Sequence, residues 1–257
     1  MLVSLDFPHG EEAMAAVPNP ARNKELQEKY GITGYPTVLL MTLDGEVYAQ
    51  SGNNGKEPGE YVAHLRELRT KGQAAKEVAA ALTAKFDRAK DKAAVVREAI
   101  AVLGQMPAGI RTGGQLAEIV RHGLTLDPEN KSGLKLASVT ALVTSGQAAG
   151  GELALAFEMD PANELGLMEK VVAVESESLP QDDEEALKCF VDHAKTLLGV
   201  AKLHEPQKVG MGFAYAAYYS LNKFEDMETA KRLAQKALDC GGLPESFVEF
   251  LNTSILK

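Results

Sequence analysis

From Gln73 to the C-terminus, apolar residues recur at helical spacing, i, i+3, i+4 and i+7. Val95, Ala99, Val102 and Leu103 form one such set, and Leu187, Val191, Ala194 and Leu198 another. The spacing predicts helices near 74–90, 92–103, 114–124, 134–144, 150–157, 165–175, 184–203, 209–221, 226–240 and 244–256, with no strand among them.

The N-terminal part has a different rhythm. Leu2, Val3 and Leu5 read as a short buried strand ended by Asp6-Phe7-Pro8. Residues 19–30 read as a helix with Pro20 in its first turn, Leu26 and Tyr30 on one face, and Gly31 as its stop. Thr37 to Met41 is a β-prone run, Leu43-Asp44-Gly45 a hairpin turn, and Glu46 to Gln50 the returning strand. Gly52 to Gly55 reads as a loop, and residues 60–70 as a helix turning Tyr61, Val62, Leu65 and Leu68 inward. The pattern therefore divides the chain into an α+β segment over residues 1–72 and an all-α segment over 73–257, mostly α overall.

The combination of Lys29-Tyr30-Gly31-Ile32, Gly34-Tyr35-Pro36-Thr37, an apolar strand, and Asp44-Gly45 before the last strand resembles the C-terminal half of thioredoxin-family domains. The resemblance covers about residues 1–70 and implies a partial thioredoxin-like fold in the order β-α-β-β-α. It implies a cis proline at Pro36 and pairing of an extended substrate peptide with the backbone at Tyr35. Tyr35, Pro36 and Thr37 are thus the substrate-binding candidates. The family's redox Cys-x-x-Cys lies in an earlier unit that has no counterpart here, and neither Cys189 nor Cys240 falls in the thioredoxin-like part. Two explanations are open: Met1 as an internal start of a longer reading frame, which the abrupt beginning favours, or a degenerate domain kept as a scaffold.

The helical part carries an internal repeat. Leu124-Thr-Leu-Asp127-Pro128-Glu-Asn130 recurs as Phe157-Glu-Met-Asp160-Pro161-Ala-Asn163, and Leu134 recurs as Leu167. The offset of 33 residues is close to the period of about 34 of the tetratricopeptide repeat, which this region resembles. Tyr215 to Tyr218 and Ala230 to Ala237 add a further resemblance to its two helices, although the large aromatic expected early in each repeat is mostly absent. The resemblance implies a TPR-like array with a concave face for a protein or peptide.

Composition narrows the function. The net charge of −9 disfavours general nucleic-acid binding, and two cysteines exclude a disulfide-dense module. Residues 152–192 hold twelve Asp/Glu against two Lys, a net −10. That excess reads as solvated helical faces and helix N-termini, with an acidic docking surface for a basic partner as the alternative. No apolar stretch approaches the roughly 18 residues needed to span a bilayer, and the first residues lack the basic n-region of a signal peptide. A soluble chain is expected. Its compartment stays open, relatives of this pattern often being exported or periplasmic.

Candidate chemistry is sparse. His9, His64, His122, His193 and His204 show no metal-ligand spacing. Gly52 to Lys56 lacks the spacing of a phosphate loop, and Asp182 to Glu185 is explained by helix capping. Cys189 and Cys240 read as unpaired helical cysteines among apolar neighbours. The expectation is no catalytic residue, metal or cofactor within this chain. The primary reading is a thioredoxin-like protein of the thiol–disulfide oxidoreductase type, truncated and inactive in dithiol exchange as written. The alternative is a non-enzymatic interaction scaffold built on the TPR-like region. Oligomeric state is open.

Overall fold

The computed structural model describes residues 16–32, 34–52, 55–107, 109–110, 113–178, 183–200 and 202–257. The strand expected at Leu2–Leu5 lies outside them, as do His9, Asn53, Asn54 and Asp182. The described chain is mostly helical, 68% helix, with a single two-stranded antiparallel sheet. It divides into two compact units, Met1–Glu77 with Pro107–Thr112, and Val78–Met106 with Gly113–Lys257.

In the first unit, α1 (Pro20–Lys29) begins on Pro20, whose missing N–H is no loss at a first helical position. It stops at Gly31, in the left-handed region at φ 59°, while the Ile32 N–H reaches back to the Gln27 carbonyl at 3.0 Å. Strands β1 (Thr37–Met41) and β2 (Val47–Gly52) pair antiparallel, Thr37 opposite Gly52 and Leu40 opposite Ala49, with a bulge between Leu40 and Met41. The connecting turn is closed by Gly45 N–H to Thr42 O at 3.2 Å, and Gly45 supplies its positive φ of 81°. The returning strand thus reaches Gly52, which the sequence pattern assigns to a loop. The link between the helices expected at 92–103 and 114–124, in a region expected to hold no strand, also contributes here: Ile110 forms an antiparallel bridge to Ala49, and Gln50 N–H donates to Gly109 O at 2.6 Å.

The two helices expected at 60–70 and 74–90 are one, α2 (Pro58–Arg88), 31 residues long. Gly72, between the two expected helices, serves close packing. A Cβ there would come within 2.6 Å of Tyr48 Cδ2 and 3.1 Å of the Tyr48 carbonyl oxygen. Leu68 is buried, but Val62, expected to face inward, is exposed. An interior glycine costs a helix only about 1 kcal/mol, so a contact that needs it can hold the helix continuous.

The second unit continues with α3 (Lys92–Gly104), α4 (Gly113–Leu126), α5 (Leu134–Thr144), α6 (Gly150–Met159), α7 (Leu167–Ser178), α8 (Glu184–Leu197), α9 (Pro206–Asn222), α10 (Met227–Cys240) and α11 (Glu245–Phe250), closing in a π-helical turn, Leu251–Ile255. Asp91, Asp183 and Asp226 cap α3, α8 and α10 by accepting the backbone N–H three residues on, at 3.0–3.1 Å. Asp183 with Glu184 and Glu185 is therefore a helix start. Helix α8 ends at Leu197, short of the expected residue 203, where Gly199 N–H turns back onto Thr196 O.

From α3 to α10 each helix packs on the next, and α3, α5, α7 and α9 also pack in succession on one another. The result is a row of alternate helices backed by their partners. The core runs along it in three clusters: one around Leu116, Val96 and Leu142; one around Val139, Leu153 and Leu167; and one around Phe190, Phe213 and Leu233.

Candidate functional site

The three substrate-binding candidates lie together at the head of β1. The Tyr35–Pro36 peptide bond is cis, as the resemblance implies. Tyr35 is 54% exposed, Pro36 is exposed and Thr37 half-buried. The Thr37 hydroxyl donates to the Gly34 carbonyl at 2.6 Å and so closes the bend that precedes the strand. Gly52 faces the Pro36 carbonyl closely enough that a Cβ would stand 3.3 Å from it. On the next element, Ser51 Oγ and His64 Nε2 are 3.0 Å apart, tying β2 to α2.

The helical unit holds a cleft of about 390 Å³ on the row of alternate helices. Its walls come from the end of α5 at Val143 to Gly146, from Lys170 and Val174 on α7, and from Lys208 and Val209 on α9. Lys208 pairs with Glu205 at 2.8 Å. That contact, more than the smaller cost of desolvation, holds the Glu205 carboxyl below its usual range.

The repeated motif builds the loops beside this row. Asp127 accepts the N–H groups of Lys131, Ser132 and Leu134 at 2.7–3.0 Å, and the Ser132 hydroxyl at 2.8 Å. Asp160 accepts those of Leu165 and Leu167, the latter at 3.0 Å. Asn130 and Asn163 both sit at φ near 55°, followed by Gly133 and Gly166 at φ near 70°. The shared unit is thus Asp-Pro-x-Asn-x-x-Gly-Leu, one glycine longer than the sequence comparison isolates. The loop before α9 lacks the aspartate. There the buried Glu169 of α7 accepts the N–H groups of His204 and Glu205 at 2.6 and 2.8 Å, and the Asn163 side-chain amide at 2.6 Å.

Many carboxylates of the acidic segment are therefore engaged inside the fold. Glu152 pairs with Arg121 at 2.6 Å and accepts the Ala149 N–H at 2.6 Å. Burial pushes its carboxyl up, but those contacts outweigh burial and leave it below the usual range. Arg121 also donates to Glu118 and to the Gln147 carbonyl.

Both cysteines are free. Cys240 is buried, whereas Cys189 is exposed, contrary to the buried position its apolar neighbours suggest. Cys189 sits beside His193 and Glu175, a grouping that sequence spacing does not reveal because Glu175 is on the preceding helix. Burial, then Glu175, Asp192 and Glu185, push the Cys189 thiol above its ordinary value.

No family model, no curated protein and no solved structure matches this chain.

Proposed function

We propose that this chain is a thioredoxin-like family protein of the thiol–disulfide oxidoreductase type, and that it supplies the polypeptide-holding part of that chemistry through Tyr35, Pro36 and Thr37. One observation carries the reading: an exposed aromatic, Tyr35, stands at the head of β1, immediately before the residues that pair with β2. An extended peptide laid along this turn gains backbone hydrogen bonds, while the Tyr35 ring offers apolar contact at low entropic cost. The sequence holds no Cys-x-x-Cys, and Cys189 and Cys240 belong to the helical unit. Dithiol exchange by this chain alone is therefore not part of the proposal.

Titration of a fluorescent, thiol-blocked unfolded polypeptide tests it. As the aromatic anchor of the bound peptide, Tyr35 is expected to cost more than about 1 kcal/mol on truncation, so Tyr35→Ala weakens binding at least about fivefold. Equal affinity in wild type and Tyr35→Ala overturns it.

The cleft on α5, α7 and α9 favours a second reading, a TPR-like scaffold that receives a protein segment there. Under it, Lys170→Glu with Lys208→Glu, and not Tyr35→Ala, reduces binding.

A further inference from the structure

We propose that Glu175, Cys189 and His193 form a binding site for a thiophilic divalent cation, Zn²⁺ above all, on the face shared by α7 and α8. Cys189 and His193 are four residues apart on α8, and so project from one side of the helix. Glu175 reaches them from the last turn of α7. One oxygen of Glu175, the Cys189 sulfur and one ring nitrogen of His193 lie within 4.8 Å of one another.

The separate contacts are closer. Cys189 Sγ is 3.8 Å from His193 Nε2, while both Glu175 oxygens lie 3.0 Å from the other ring nitrogen, Nδ1. Ligands on a tetrahedral zinc stand about 3.3–3.5 Å apart, given metal–ligand bonds of about 2.0–2.3 Å. Seating one ion therefore requires Cys189 and Glu175 to close onto a single ring nitrogen of His193.

The surroundings suit a metal better than a nucleophile. A reactive cysteine needs a lowered pKa, and burial together with the carboxylates around Cys189 acts the other way. A dication answers that clustering of negative charge directly. Bound as thiolate, carboxylate and neutral imidazole, the three ligands balance its charge, and the thiol proton leaves to solvent. The mixed sulfur, nitrogen and oxygen set selects zinc over calcium or magnesium. Phe157 stacks on the His193 ring at 4.2 Å between centroids and 23° between planes, and so fixes its orientation. His193 and Glu175 are largely buried, with side chains 16% and 15% exposed, while exposed Cys189 leaves an approach from solvent. Three protein ligands leave a fourth position for water or an incoming donor.

Co²⁺ titration of the full chain under a non-thiol reductant tests the site. The expected result is one Co²⁺ per chain, with a sulfur-to-cobalt charge-transfer band and tetrahedral visible bands, displaced by Zn²⁺. Cys189→Ser abolishes the charge-transfer band and Cys240→Ser retains it. Loss of even an outer partner costs about 10–100-fold in affinity, so Glu175→Gln and His193→Gln each weaken Zn²⁺ binding at least about tenfold. Far-ultraviolet circular dichroism confirms that each variant is folded. Absence of the charge-transfer band overturns the proposal, as does a band that survives Cys189→Ser or disappears in Cys240→Ser.

Discussion

Asp127 and Asp160 occupy equivalent loops of successive helix pairs, each accepting the N–H of the leucine that opens the next helix, Leu134 at 2.9 Å and Leu167 at 3.0 Å. A buried carboxylate holding such donors closes the loop and caps the helix at once. Removing it strands backbone N–H groups away from water.

For Asp160, only 4% exposed, that loss is expected to cost about 1–3 kcal/mol. Urea unfolding of Asp160→Ala checks it, with a lower midpoint and an unchanged slope. A midpoint equal to wild type contradicts the capping role.

Asp127 makes the same role visible in pH. Burial raises its carboxyl, but the Ser132 hydroxyl and the N–H groups of Leu134, Ser132 and Lys131 together bring it below its ordinary value. A folded-state pKa below the unfolded value of about 3.9 means the stabilisation is complete above that pH and is lost as pH falls through the folded value. Urea midpoints between about pH 2 and pH 6 should therefore fall less steeply for Asp127→Asn than for wild type. Parallel curves would remove Asp127 from the acid transition.

Gly212 of α9 sits against Val172 of α7. A Cβ there would stand 2.7 Å from Val172 Cγ1 and 3.3 Å from the Val172 carbonyl oxygen. Helix propensity alone would make Gly212→Ala stabilising by about 1 kcal/mol. The contact is expected to reverse the sign, with a net loss of about 1–2 kcal/mol and a lower Tm. A higher Tm would mean that α9 can move off α7 freely.

The helical half is legible in the sequence because amphipathic spacing is strong in α4, α8 and α10, and because Asp127-Pro128 and Asp160-Pro161 repeat visibly. Helix α2 spans both expected helices because Gly72, between them, packs against Tyr48, a contact between distant residues with no local signal. The approach of Gly109 and Ile110 to β2 was hidden for a similar reason, being a pairing between distant segments with no pattern of its own. The turn at Tyr35-Pro36-Thr37 could be named from a local motif. The Glu175–Cys189–His193 cluster could not, because only α7 packing on α8 brings Glu175 to the other two. A four-residue gap between Cys189 and His193 was its one sequence signal.

The most direct test is the footprint of a thiol-blocked unfolded polypeptide on the isotope-labelled chain, read residue by residue from amide chemical shifts. The account predicts that the largest shifts fall at Tyr35, Thr37 and their β2 neighbours Ser51 and Gly52. Shifts confined to Val143–Gly146, Lys170 and Lys208 would contradict it and place the binding surface on the helical row.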